Sequence, residues 1–474
     1  MLRTIVFLGI MIWNISLFSQ VNYQKYFTPQ ALRIDFYHTG NKEQETIIWD
    51  ELFKEPQWAG NPHNLLDTLN LGNYLLKVYD LQTNALIFSY GFSSLFQEWQ
   101  ATTEALNGGS KVIGATLRIP FPISKIQLEI LRRDAKNLFS RQIGQWNIDP
   151  QSVDIRQEVR ARYDSLIVIQ KSGDPAEMVD LVFLGEGYTS QETAEFAEDV
   201  WRLSERLFSV EPFNNYRSKF NVTAVFSASQ DSGVDDPNQG IFKNTPLNFS
   251  YNTFGSQRYM MSYDSKNIND LASAVPFDAL AIVVNSEVYG GGGIFNLYTA
   301  LAADDKVSSN ILVHEMGHSF AGLGDEYYTK DVAYQDFYPL HVEPWEPNLT
   351  ILQDSANLKW KPLVEPGTAL PTPWDQEKYD QRNEEYVQKS AEMRMAKKSN
   401  HELNQLKDNY TETTNSFFED HPYGGKIGAF EGAGYAFKGI YRPALECLMF
   451  SNRTLIFDQV CQRAIIQRII FLTQ

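Results

Sequence analysis

The sequence predicts an α+β protein of two folded parts, an antiparallel β-sandwich-like domain over residues 21–172 and an α/β domain over residues 173–474. Three observations lead there. The first part alternates apolar and polar residues in short runs punctuated by Asn, Gly, Pro and Asp, as strands with one buried face do. At Val179-Asp180-Leu181-Val182-Phe183-Leu184 this gives way to a nearly continuous apolar strand, the pattern of a sheet covered on both faces. From there on, strands alternate with amphipathic helices.

In the first part, strands are expected at 32–36, 74–79, 85–90, 111–119 and 126–131. The polar stretch Lys171-Ser172-Gly173-Asp174-Pro175 marks the boundary. After the apolar strand and Gly185-Glu186-Gly187-Tyr188, Thr189 and Glu192 are spaced for a capping box. Phe196, Val200, Leu203 and Leu207 then recur at helical spacing. Residues 220–226 and 279–284 give two more strands. Residues 330–425 are polar and irregular around a charged helical run, 384–410, expected to be a solvated surface helix. Val460, Ala464, Ile465 and Ile469 predict a final helix packed on the core.

With 474 residues, 43% hydrophobic and 21% charged, the chain is ordinary globular material too long for one core. Its net charge of −17 repels phosphate backbones and argues against nucleic acid as a partner. Residues 1–20 place Arg3 before a short apolar run, which predicts a signal peptide and a secreted or otherwise extracytoplasmic protein. An uncleaved anchor helix is the alternative, although the run is short for a membrane span. The mature chain is expected not to insert into a membrane. Cys447 and Cys461 could form one disulfide or remain two buried thiols. So few thiols exclude a cysteine-based zinc site, leaving His and carboxylate to hold any zinc.

The chemistry gathers at Ser308-Ser309-Asn310-Ile311-Leu312-Val313-His314-Glu315-Met316-Gly317-His318-Ser319-Phe320-Ala321, a buried helix with its N-cap at Ser308 or Ser309. His314 and His318, four apart, share one helical face and can present imidazole nitrogens to a single metal ion. Glu315 lies one step round, near enough to bond a water beside the ion and badly placed to ligate it. That division suits metal-assisted peptide hydrolysis, in which the ion acidifies water and polarises the carbonyl while a carboxylate relays the proton. Gly322-Leu323-Gly324 should break the helix and swing the chain round, making Asp325 the expected third ligand and Glu326 the second candidate. His38, His63, His341, His401 and His421 lie far away in sequence; His341 or His421 could approach in space, but each is more simply a loop residue.

The run from His314 to His318, followed by Gly322-Leu323-Gly324-Asp325-Glu326-Tyr327, resembles the IgA-peptidase type of zinc metallopeptidase, a family related to the metzincins. A second similar block runs from Glu431-Gly432-Ala433-Gly434-Tyr435 through Gly439-Ile440-Tyr441-Arg442-Pro443 to Cys447-Leu448-Met449, where Met449 looks like the metzincin methionine turn. Residues 185–189 and 285–293 match as well. Trp58-Ala59-Gly60 and the stretch from Gly91-Phe92 to Glu98-Trp99 resemble the β domain that commonly precedes this peptidase. The resemblance implies a metzincin-like peptidase domain and an endopeptidase acting on proteins. It also implies one catalytic zinc on His314, His318 and Asp325, with Glu315 as general base. One departure stands out. The general metzincin spacing would put the turn glycine and third ligand at Ala321 and Gly324, so the turn here is one residue longer.

Tyr289-Gly290-Gly291-Gly292-Gly293 suggests either a cleft rim along which a substrate strand lies or a flexible surface turn; without a following Lys-Ser/Thr it is no phosphate loop. Asp231, Asp235 and Asp236 could bind calcium or simply form an acidic turn. Two rival classes remain. A glycan- or protein-binding module has no need of an intact Glu315, and a structural zinc site needs four protein ligands where three are nearby.

Overall fold

The computed structural model describes residues 20–304, 308–328 and 337–474. The expected signal peptide lies, but for Gln20, outside the described residues. The N-terminal part holds eight strands: β1 (Phe27–Gly40), β2 (Glu45–Glu55), β3 (Tyr74–Asp80), β4 (Leu86–Phe92), β5 (Lys111–Pro122), β6 (Ile126–Arg133), β7 (Phe139–Ile148) and β8 (Ile155–Arg156). They form two sheets, β5-β1-β2-β8 and β4-β3-β6-β7, antiparallel except at the short β2–β8 pair. Leu32, Ile34 and Leu117 of one sheet meet Leu76, Val78 and Leu128 of the other in one sandwich core. His38 belongs to this interior. Its Nε2 is 2.9 Å from Glu45, which also accepts a hydrogen bond from Tyr74, and Phe96 stacks on its ring.

The second part continues with β9 (Ser165–Gln170), β10 (Val179–Glu186), β11 (Phe220–Phe226), β12 (Ala279–Val284), β13 (Gly291–Ile294) and β14 (Tyr298–Ala302). Their order is β13-β14-β12-β10-β11-β9, with β14, β12, β10 and β11 parallel and the two outer strands antiparallel to their neighbours. Every residue of β10 is buried, as its apolar run requires. Leu181 and Phe183 point into a layer with helices Thr193–Leu207, Ser308–Ala321 and Gln459–Thr473. Val182 and Leu184 point the opposite way, into a layer shared with helix Ser265–Ala272 and with Leu95, Phe96 and Trp99 of the N-terminal part. The two parts are therefore continuous in their packing, and Arg33 adds an ion pair to Asp270 at 2.6 Å.

Most expected elements lie where their patterns put them, including the Thr189–Glu192 capping box and the helix carrying Phe196, Val200, Leu203 and Leu207. The differences have local causes. The division expected at 172 falls just after β9, yet β9 is hydrogen-bonded to β11 as the far edge of the second sheet. Strand β7 exposes a run of polar residues, and β2 buries Glu45 and Glu55 while exposing Ile48, so neither shows a clean alternation. The charged run is not one helix. It spans Gln376–Met395 and Asn400–Glu419, separated at Lys397 (φ 53°) and restarted by a Ser399–Glu402 capping box. Ser308 and Ser309 lie inside their helix, where their hydroxyls accept from Arg202 rather than capping it. Cys447 and Cys461 are buried free thiols with Sγ atoms 3.7 Å apart. Asp231 and Asp235 accept from the amides of Asn244 and Lys243, and Asp236 from the side chain of Gln239, which ties down an acidic loop. Among the described residues no helix is long and apolar enough to cross a membrane.

Glu186, at the end of β10, is fully buried and accepts from Thr245 Oγ1 and from the amides of Leu247 and Phe249 at 2.6–3.0 Å. Replacing it with Ala strands two amides and a hydroxyl, so Glu186→Ala should cost about 2–4 kcal/mol in urea unfolding. Burial pushes the Glu186 carboxyl up to about 7. Its contribution to stability is thus full below the unfolded value of about 4.3 and is lost as pH rises toward the folded one. The deficit of the variant should be larger at about pH 5 than at about pH 8.

Candidate metal centre

Helix Ser308–Ala321 packs under β13 and β14 and against helices Thr193–Leu207 and Gln459–Thr473. It stops at Gly322, which takes φ +66° while its amide donates back to His318 O at 3.0 Å, a left-handed C-cap. The turn then presents the carbonyl of Leu323 to His318 Nδ1 at 2.6 Å. The carbonyl of Leu448 meets His314 Nδ1 at 3.0 Å. A carbonyl can only accept, so both Nδ1 atoms carry a proton and each Nε2 is the atom left to meet an ion or a further proton. Those two Nε2 atoms are 3.1 Å apart.

Asp325 closes the group. Its Oδ1 lies 3.1 Å from His314 Nε2 and 3.3 Å from His318 Nε2, and it is buried with no well-aligned hydrogen bond. Its Oδ2 accepts from Tyr435 Oη at 2.6 Å. Two lone pairs and an anionic oxygen at this spacing repel one another unless a cation or a proton lies between them. Nitrogen and oxygen ligands about 2.0–2.1 Å from one tetrahedral ion stand roughly 3.3 Å apart, so the donor set and its spacing fit zinc. Without the ion a proton takes that place. Burial alone would lower the His318 imidazolium, but Asp325 and Glu315 outweigh it and hold it at about 10. Burial likewise works against the Asp325 carboxylate, and His318 and His314 nevertheless keep it far below the usual range.

Glu326, the other candidate ligand, turns away. It is fully buried, accepts from Asn348 Nδ2 at 2.9 Å, and its amide bonds Met449 O at 2.9 Å. Met449 seats the helix from below; a Cβ on Gly317 would lie 2.7 Å from its Sδ. Glu315 stands outside the converging atoms. Enclosure pushes its carboxyl up, against the pull of the two imidazoles. The glycine run forms β13, an edge strand rather than a free turn, and it crosses directly over this residue. A Cβ at Gly293 would come within 2.4 Å of Glu315 O and 3.2 Å of its Oε2. All of this opens into a cleft of about 370 Å³ whose lining includes Gly292, Tyr259, Tyr327 and, from the N-terminal part, Gln97 and Glu98. His341 and His421 are not among its walls.

A family model described as IgA Peptidase M64 matches residues 167–470, and one described as Peptidase M64 N-terminus matches residues 22–143. The chain belongs to the IgA peptidase M64 family. No curated protein matches the chain. Membership makes this a peptidase acting on protein or peptide chains, and its converging His314, His318 and Asp325 are a group able to hold a metal ion.

In this M64 chain, two positioning residues escaped sequence reasoning. Tyr435 stood only within a matching block, with nothing to tie it to Asp325. Asn348, fully buried, accepts from Gly324 N and donates to Gly324 O, both at 2.8 Å, and so clamps the turn that delivers Asp325. An isolated Asn in an irregular stretch gives no such signal. In competitive zinc titrations, Tyr435→Phe should bind roughly 10-fold more weakly, since it keeps His314, His318 and Asp325 and loosens the last of them. Asp325→Ala should lose far more, leaving two imidazoles.

Proposed function

We propose that this protein is a secreted zinc endopeptidase in which His314, His318 and Asp325 hold one catalytic zinc and Glu315 is the general base. One observation carries the reading. Three acceptor atoms converge at 3.1–3.3 Å beside a carboxylate that takes no part in the convergence, on the floor of a cleft. Membership in a peptidase family agrees with it. Bound zinc would supply Lewis acidity toward a peptide carbonyl and toward water. The chain supplies the rest. The Glu315 carboxylate takes a proton from the attacking water and returns it to the nitrogen of the departing amine. Its raised affinity for the proton suits a group that must hold it between those two events. β13 lies at the sheet edge above Glu315; its Gly291 amide already donates to Arg258 O, which leaves the Gly293 end of the strand to meet an extended substrate segment, where glycine allows close approach. Secretion rests on residues 1–20 as a signal peptide. Which proteins are cut depends on the cleft loops rather than on the metal group.

Glu315→Ala should keep its fold and its zinc while losing roughly 10²–10⁴-fold in kcat on a casein-type substrate. Zinc loss as ready as in His314→Ala would show that Glu315 ligates instead. Chelators should abolish activity and added zinc restore it, whereas serine- and cysteine-directed inhibitors should leave it intact, both cysteines being buried. Full activity in chain stripped of metal would end the zinc reading.

A further inference from the structure

A second cluster of ligand-type side chains lies behind the turn that carries Asp325. Glu326, Cys447, Asp458 and Cys461 are all buried, and each places one oxygen or sulfur within 4.8 Å of the others. They come from the third-ligand turn, the segment entering the methionine turn, and the start of helix Gln459–Thr473. The two Sγ atoms are 3.7 Å apart, and Cys461 Sγ is 3.2 Å from Glu326 Oε1. Two sulfurs bound at about 2.3 Å to one tetrahedral ion stand roughly 3.8 Å apart, while a disulfide requires about 2.0 Å. The sulfurs have the spacing of co-ligands.

Polar atoms in the cluster are left over. Glu326 Oε2 and Asp458 Oδ2 are buried without a hydrogen-bond partner. The other Asp458 oxygen is occupied by the amides of Val460 and Cys461 at 2.6 and 3.2 Å. Buried carboxylate oxygens of this kind are costly unless a cation or donor meets them. Arg442, whose charge reaches Glu326, gives its Nη1 to the carbonyls of Glu431 and Gly432 and lies over the Phe450 ring; its Nε and Nη2 are buried without a hydrogen-bond partner. Cys447 Sγ receives the amides of Met449 and Asp458 at 3.5 and 3.4 Å.

We propose that Glu326, Cys447, Asp458 and Cys461 form a second, structural zinc site, closed by four protein ligands and separate from the histidine centre. On this proposal two carboxylates complete a set that two thiols alone cannot, so cysteine need not be excluded from a zinc site. The site would tie the C-terminal helix and the methionine turn to the residue that follows Asp325. It leaves no position open for substrate and therefore performs no chemistry.

Reconstitution of the full chain with cobalt(II) tests this, with metal content and absorption measured for wild type, His314→Ala and Cys461→Ser. Wild type should take up two ions per chain and show the near-ultraviolet sulfur-to-cobalt charge-transfer band, which a site of histidines and carboxylate lacks. His314→Ala should lose one ion and keep the band; Cys461→Ser should lose the band and one ion. A wild-type chain with a single ion and no band overturns the proposal, as does an intact mass showing the two sulfurs already joined. The wild-type and His314→Ala measurements decide the matter even if Cys461→Ser fails to fold. Loss of the histidine centre alone leaves the band in place, so the two zinc assignments fail separately.

Discussion

Two backbone carbonyls, Leu323 O and Leu448 O, set the orientation of the histidine pair, because they accept hydrogen bonds from Nδ1 of His318 and His314. The Nε2 atoms then face inward. Neither carbonyl belongs to a regular element, and each depends on a tight turn. Gly322 must adopt a left-handed conformation, and any Cβ there would also come within 2.8 Å of the Trp345 ring. The turn at Leu448 and Met449 is fixed by the amide of Glu326 on Met449 O. The turn that caps the helix is thus also the device that sets a tautomer and brings up Asp325 (a helix end put to use as an electrostatic part).

The N-terminal part is more than an attachment. Leu95, Phe96 and Trp99 fill the layer beneath Val182 and Leu184, so the peptidase sheet is covered on that face partly by the preceding domain. Asn296 Nδ2 donates to Gly91 O at 2.6 Å, linking the chain just after β13 to the end of β4. Glu98 then reaches across to Tyr259 beside the glycine strand. The cleft has a wall that the peptidase sheet cannot supply by itself.

Much of this was legible in the sequence wherever the signal is local. The apolar runs of β10, β11 and β12 gave their positions, because strands buried on both faces leave little room for polar residues. The histidine pair is a four-residue spacing on one helix, and the Gly322 turn follows within the same stretch. What escaped is long-range. Tyr435 meets Asp325 across 110 positions and Cys461 meets Glu326 across 135, and no pattern along the chain encodes either contact. The hairpin inside the charged run was missed for another reason. Its break lacks Gly and Pro, and the Ser399–Glu402 capping box that marks it sits among residues that favour helix on both sides.

The glycine edge strand has a consequence for the proteins such a peptidase would meet. A backbone edge recognises its guest through main-chain groups, so an extended segment fits and a helix or a strand already paired in its own sheet does not. On the proposed pairing with β13, the reactive form of a folded target is its locally opened form. Where opening and closing outpace cleavage, the rate of cutting follows the free energy of opening at each site. Two targets with the same residues at the scissile bond could differ by orders of magnitude in lifetime, solely through how firmly each holds that segment shut.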